Sequence, residues 1–395
     1  MNEPNLAGHD SRLRLCLAGP YPRNPKSIGG GVDYIVYVLA ETWAERVDLQ
    51  LDVVAPVKGL EGVEVVRRGG TTIHYVGIPE RRLVPNLVAQ IGPVARVIRE
   101  IAPDVVNSHH IATTAAAVRA QARVVHVIHG IEKREIAHKV GRARIAGWLQ
   151  ATMDQIWLGR SDGVVSVCRY GLDQFPSIAG RGAVTWAPVE DVFFQVPVMT
   201  PSKQFLYAGV IGRRKNLMAL LRAMPRVHAE VPDAVLRICG GIGEADYADE
   251  ARAFLARAGL ESVVSLEGVV DRDVLAGYLG ESVALVLPSL QETAPVVISQ
   301  ALAAGRVPMA APAGGVPELI DDGRTGILFD PRDSDALATQ MLALIRDFPR
   351  ASSMGQAGRE VARERHERHA SADRMLAACR SVADQAPARR ARNSA

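Results

Sequence analysis

The sequence predicts an α/β protein built from two doubly wound, parallel-sheet domains that face a central cleft. Three observations lead there. The chain has 395 residues, too many for one compact domain. It is 48% hydrophobic but only 5% aromatic, a mixture that suits buried parallel strands under helices better than a β-sandwich. Short β-branched runs alternate with helical patterns, pause at a Pro-bearing stretch, and then begin again.

The elements follow in order. Residues 13–19 form an apolar run closed by Gly19-Pro20, which reads as a first buried strand, and helical periodicity follows over 33–45. Further strands are expected at 51–55, 72–76, 105–108, 124–129 and 163–167, with a helix over 84–101. The rhythm restarts with strands at 204–209, 235–239, 263–267 and 284–288 and helices at 217–228, 248–258 and 296–304. Between the two series, 194–202 (FQVPVMTPS) is the best linker. The expected organisation is an acceptor-side domain over 1–195 and a nucleotide-binding domain over 203–351. C-terminal helices over 352–386 and a basic tail over 387–395 complete it.

Charge and cysteine usage narrow the class. The net charge of +3 and the lack of an aromatic-studded basic stripe argue against a nucleic-acid partner. Cys16, Cys168, Cys239 and Cys379 lie far apart, show no metal-ligand spacing, and fit a reducing compartment. Residues 1–10 are polar, so no secretory signal is expected, and no apolar run reaches the roughly 18 residues of a membrane span. The expected location is cytoplasmic, with weak peripheral contact at the inner membrane surface as a second element. That contact would use residues 81–100, where apolar and basic side chains mix. Pro85, Gly92 and Pro93 interrupt this stretch and favour a buried domain helix with exposed arginines.

The densest chemistry lies at 288–319, PSLQETAPVVISQALAAGRVPMAAPAGGVPEL. A buried strand ends at Pro288-Ser289, a loop carries Glu292, and a helix opens near Pro295, where a missing N–H costs nothing. The free N–H groups of Val296 and Val297 at that helix start would receive an anion or a hydroxyl-rich ligand. Gln300 lies one turn further in. Two Asp-x-Asp strings, 271–273 and 333–335, directly precede helical patterns and read as helix caps rather than metal ligands.

A carboxylate, seven residues, a second polar residue, then Gly305, Pro308 and GGVPE resembles the retaining glycosyltransferases of family 4, which have the GT-B fold of two Rossmann-like domains. FLYAGVIGRRKN (205–216) is similar to the donor-phosphate segment of that family, and LRICGGIGE, LEGVV and VLPSLQE are similar to its next strands in order. Gly29-Gly30-Gly31 before a helix and His129-Gly130 at a strand end are similar to its N-terminal landmarks. The resemblance implies metal-independent transfer, with no cofactor, from a nucleotide-sugar donor to an unidentified acceptor. It implies that Glu292 holds sugar hydroxyls, Gln300 the ribose, and Arg214 with Lys215 the diphosphate. Gly30, Gly31 and Val296 would offer backbone to the donor, and His129 would face the reacting sugar.

Three positions depart from the family pattern. Gln300 stands where the family has a second glutamate. A charge-assisted hydrogen bond contributes roughly 1.5–3 kcal/mol against about 0.5–1.5 for a neutral one, so the swap should cost on the order of 1 kcal/mol, near tenfold in affinity. Val210 replaces a common arginine, whose charge Arg213 or Arg214 would supply from the loop. Pro295 replaces a glycine. Glu318 is open to two readings, a donor contact or a helix-start residue, and its position favours the second. Rival functions are a nucleotide-sugar 2-epimerase on the same fold and a non-catalytic nucleotide-sugar-binding protein.

Overall fold

The computed structural model describes residues 12–25, 28–79, 84–136 and 141–385. The polar start, part of the 81–100 stretch and the basic tail lie outside the described residues. The first sheet comprises β1 (Leu13–Ala18), β2 (Leu49–Lys58), β3 (Val63–Arg68), β4 (Thr71–Ile78), β5 (Val105–Ser108), β6 (Val124–Ile128), β7 (Gly163–Ser166) and β8 (Gly182–Val184). Their spatial order is β3-β4-β2-β1-β5-β6-β7-β8. All pairings are parallel except β3 against β4. The second sheet comprises β9 (Gln204–Ala208), β10 (Val235–Cys239), β11 (Val264–Gly268), β12 (Ala284–Leu287), β13 (Val307–Ala310) and β14 (Ile327–Leu328). It is wholly parallel in the order β11-β10-β9-β12-β13-β14.

Central strands β5, β6 and β12 are buried along their full length, as expected of sheets covered on both faces. In each sheet the order reverses once near the middle, between β1 and β5 and between β9 and β12. At such a switch point the loops at the carboxyl ends of the strands part and leave a crevice.

Three details depart from the expected elements. The helix over 84–101 is two helices, Asn86–Ala89 and Ile91–Ile101, because Pro93 has no N–H to continue the ladder. The antiparallel β3 was not expected; its half-exposed, charged face (VEVVRR) carries little of a buried-strand signal. The C-terminal helices also divide. Helix Phe348–His366 packs on the second lobe against helices Val296–Ala303 and Ser334–Arg346. Helix Arg368–Ala383 returns to the first lobe, lying on β5, β6, β7 and helix Gly31–Ala44. There the Trp43 indole N–H donates to the Ala372 carbonyl at 3.3 Å.

The chain therefore crosses between lobes twice, and the crossings are fastened together. The Val189 N–H donates to the His366 carbonyl at 2.8 Å, and the His366 Nδ1–H donates to the Ala187 carbonyl at 2.8 Å. The outgoing linker is held by Arg306, 1% exposed, whose guanidinium donates to the carbonyls of Leu279, Gly280, Ala304, Gly305 and Pro197 at 2.8–3.3 Å. Arg359 adds bonds to the Val196, Ala303 and Ala304 carbonyls. Burial lowers Arg306 to about 10, so it stays protonated at neutral pH.

Candidate active site

Both switch points open into one cleft of about 480 Å³ between the lobes. Its lining includes all eight residues to which the resemblance gives a role: Gly30, Gly31, His129, Arg214, Lys215, Glu292, Val296 and Gln300.

On the second-lobe side, the loops after β9 and β12 are stitched together. The Leu290 N–H donates to the Arg214 carbonyl at 2.9 Å, the Asn216 amide to the Pro288 carbonyl at 3.2 Å, and Arg214 Nη1 to the Gln291 carbonyl at 3.0 Å. Asn216 adopts the left-handed region (φ 52°) to make this turn. The outcome is an ion pair inside the cleft. Lys215 Nζ lies 2.5 Å from Glu292 Oε1, and Arg214 Nη1 lies 3.9 Å from Glu292 Oε2. The Glu292 and Lys215 side chains are only 7% and 15% exposed, so this is a sheltered pair rather than a surface one.

Two glycines permit the arrangement. Gly314 (φ +59°) packs on the Glu292 loop so closely that a Cβ would lie 1.8 Å from the Glu292 carbonyl oxygen. Gly240 (φ +143°), at the end of β10, would place a Cβ 1.9 Å from the Gly209 carbonyl oxygen. Neither position accepts a side chain.

Two helix N-termini point into the same space. Helix Gly31–Ala44 starts at Gly30 and helix Val296–Ala303 at Pro295, and neither start has a side-chain cap. They face each other: a Cβ at Gly31 would sit 3.6 Å from Val296 Cγ2. Gly30 is extended (φ −169°), a conformation open to any residue, and nothing lies within 4 Å of where its Cβ would be. The space it leaves empty is cleft. Uncapped N–H groups from both lobes, with Arg214 and Lys215, make this a positive concavity suited to an anion.

His129 follows β6 and forms part of the first-lobe wall. Its Nε2 lies 2.7 Å from His109 Nδ1, and His109 Nε2 lies 2.6 Å from Asn107 Oδ1. The His109 and His129 rings stack with centroids 4.8 Å apart. Burial pushes His129 down to about 3 and His109 well below its ordinary value, so both are neutral at pH 7. His129 is therefore a neutral imidazole held in place by His109. His109 drew no reading from the sequence, although one signal was available: both histidines directly follow strands, β5 and β6, that are neighbours in the sheet.

Gln300 is 6% exposed and lines the cleft together with Tyr34. The Tyr34 hydroxyl accepts the Glu190 N–H at 3.1 Å. Arg272, a further cation on the cleft wall, pairs with Glu190 at 2.5 Å. Neither Tyr34 nor Arg272 stood out in the sequence, because tyrosine in a helix and Arg in a helix's first turn are common.

Of the two arginines expected to stand in for the one missing at Val210, Arg214 lines the cleft, while Arg213 turns outward to Glu244, Asp246 and Glu250. Glu318 does not line the cleft; it stands in the first turn of its own short helix (Val316–Leu319), as its position favoured, but its bonds go elsewhere. Its carboxylate accepts the Arg169 and Tyr170 N–H groups at 2.6 Å each, capping a first-lobe helix (Arg169–Asp173) from the second lobe. The Asp-x-Asp strings are caps, with Asp271 accepting from the Val274 N–H at 2.9 Å and Asp333 from the Ala336 N–H at 2.8 Å.

Known proteins resemble this chain in sequence and in fold. The family model for glycosyl transferases group 1 matches residues 202–347, and that for glycosyltransferase family 4 matches residues 29–181. The α-maltose-1-phosphate synthase of Mycolicibacterium smegmatis is 30% identical over 50% of this chain and 51% of its own length. The D-inositol 3-phosphate glycosyltransferase of Corynebacterium aurimucosum is 28% identical over 73% of this chain and 75% of its own. The chain thus spans about half the length of the first of these relatives and three quarters of the second. Among solved structures, the sucrose-phosphate synthase of Thermosynechococcus elongatus superposes with a TM-score of 0.78 at 20% identity, covering 94% of this chain and 99% of that one. HepE of Anabaena, solved with UDP and glucose, gives 0.73 at 17% identity, covering 93% and 99%. None of these relatives favours the epimerase or the non-catalytic reading. Two matched domain models, the GT-B architecture and the relatives agree: the chain belongs to glycosyltransferase family 4.

Proposed function

We propose that this protein transfers a glycosyl group from a nucleoside-diphosphate sugar to an acceptor hydroxyl, with retention of configuration and without a metal ion. The observation that carries the proposal is the convergence of Arg214, Lys215, two uncapped helix starts and Glu292 on one inter-lobe cleft. A leaving nucleoside diphosphate gathers negative charge as the sugar C1–O bond breaks. Fixed cations and N–H groups in a closed cleft stabilise that charge more strongly than water does.

In the free protein Lys215 and Glu292 neutralise each other. On donor entry the ammonium turns to the diphosphate, and the freed carboxylate accepts hydrogen bonds from sugar hydroxyls. Gln300 takes the ribose, His129 faces the sugar, and the backbone of Gly30, Gly31 and Val296 meets the donor. Retention through a covalent intermediate would need one carboxylate as nucleophile and another group as acid/base. Of the carboxylates on the cleft wall, Asp271 is occupied as a cap and Glu292 sits beside the phosphate-binding cations. The reading is therefore same-face attack: the acceptor oxygen bonds to C1 as the phosphate oxygen leaves, and that oxygen takes the acceptor proton. The four cysteines are free and buried, which fits the cytoplasm as its place of work.

The test combines binding and turnover. One of UDP, GDP or ADP should raise the thermal midpoint, and Glu292→Ala should abolish transfer from the matching nucleotide sugar while remaining folded. Full activity in that variant would refute the assignment.

A further inference from the structure

Over the described part of 81–100 the structure has the favoured buried domain helix, with Arg96 and Arg99 exposed. Helix Ile91–Ile101 turns Val94, Ala95, Val97 and Ile98 into the core, and residues 80–83 lie outside the described residues. A different helix carries the exposed apolar surface. On Gly141–Leu158, Met153 and Leu158 are buried while Ile145, Trp148 and Ile156 are 72%, 56% and 45% exposed. With Thr152, their spacing of three and four residues sets them in one stripe along the helix. Val88, 38% exposed, stands nearby on the short helix Asn86–Ala89, whose Leu87 packs into the same small core as Leu149 and Trp157.

The stripe lies in a basic stretch of the first lobe. Residues 131–160 hold six Lys or Arg against three Asp or Glu, a surplus equal to the +3 of the whole chain. Two of those acids, Glu132 and Asp154, are buried. Arg144 stands exposed beside Ile145, and Arg160 at the far end lies 5.0 Å over the Trp157 ring. The helix follows His129 and Gly130 and runs back to the start of β7, so its Gly141 end lies at the carboxyl edge of the sheet, the edge that holds the cleft.

We propose that this stripe docks on an anionic lipid surface. Ile145, Trp148 and Ile156 enter the interfacial layer while Arg144 and Arg160 meet lipid phosphates. No helix among the described residues is long and apolar enough to cross a membrane, so the contact is peripheral. A second copy of the chain is a poorer occupant, because a two-fold contact through this face would bring the same arginines against each other. Resting on the transfer reading above, the docking also names an acceptor class: an amphiphile presented at the bilayer surface beside the cleft mouth.

Vesicle flotation tests the docking without any donor, so its failure is separable from failure of the transfer reading. The wild-type protein should float with phosphatidylcholine vesicles only when phosphatidylglycerol is included, and less as salt rises. The triple variant Ile145→Ser, Trp148→Ser, Ile156→Ser should lose roughly tenfold or more in partitioning. Its thermal midpoint and nucleoside-diphosphate binding should be unchanged. If the triple variant misfolds, quenching of wild-type tryptophan emission by brominated lipid decides instead, and absence of quenching counts against docking. No flotation of the wild type at low salt, or equal flotation of the folded variant, overturns the proposal. So does a dimer in light scattering that the variant abolishes without any vesicle binding.

Discussion

Removing the Glu318 carboxylate should loosen the closed arrangement of the lobes. Glu318 reaches from the second lobe to accept two first-lobe N–H groups, Arg169 and Tyr170, at 2.6 Å each. A hydrogen bond to a charged acceptor contributes roughly 1.5–3 kcal/mol when sheltered. The Arg169 bond is exposed and the Tyr170 bond part-buried, so solvent screening reduces each to about 1 kcal/mol. Together they bias the closed state by about 2 kcal/mol, or about thirtyfold in population. Other ties survive the change, notably Arg272 to Glu190. Glu318→Ala should therefore open the cleft only part of the time. Small-angle scattering should show a larger radius of gyration for the free variant, restored by saturating nucleotide sugar. Donor affinity, read by calorimetry, should weaken by up to about thirtyfold, the limit set by the lost closed population. Glu318→Gln keeps one acceptor and should fall between. Identical scattering and identical affinity in Glu318→Ala would refute the latch.

Three further outcomes follow from the same geometry. His366 is buried at the double crossing and held down to about 4, so between pH 6.5 and 4 the unfolded chain takes a proton that the folded one refuses. Stability should fall over that window by up to about 3 kcal/mol for this group, and His366→Gln should flatten the pH dependence of denaturation midpoints; parallel curves would contradict it. Arg306→Met strips the donors from five buried carbonyl contacts and should destabilise the protein by about 3 kcal/mol in urea titration; an unchanged midpoint would count against the linker clamp. Gln300→Glu should tighten nucleoside-diphosphate binding by up to about tenfold, and weaker or equal binding in calorimetry would argue against a ribose contact.

The legible part of this molecule was its local chemistry. Strands β5 and β10 fall at the residues expected, because short β-branched runs between turn signals leave little choice. Glu292 and Lys215 could be placed at strand ends on separate loops, and the parallel order of β9 and β12 brings them together. What stayed hidden depends on distant pairing. The return of helix Arg368–Ala383 to the first lobe rests on contacts such as Trp43 to Ala372, which no local pattern announces. Glu318 carries ordinary helix-start chemistry, and only the packed lobes reveal that its bonds go to Arg169 and Tyr170. The exposed stripe on helix Gly141–Leu158 was equally silent, since Ile145 and Trp148 have the helical spacing of core residues.

In the proposed cycle Lys215 exchanges Glu292 for the diphosphate of a donor. Calorimetric titration of UDP, GDP and ADP into the wild type and Lys215→Met tests it most directly. The wild type should bind at least one of the three, and the variant, still folded by its thermal midpoint, should bind it at least about tenfold more weakly. Undiminished binding by Lys215→Met would contradict it.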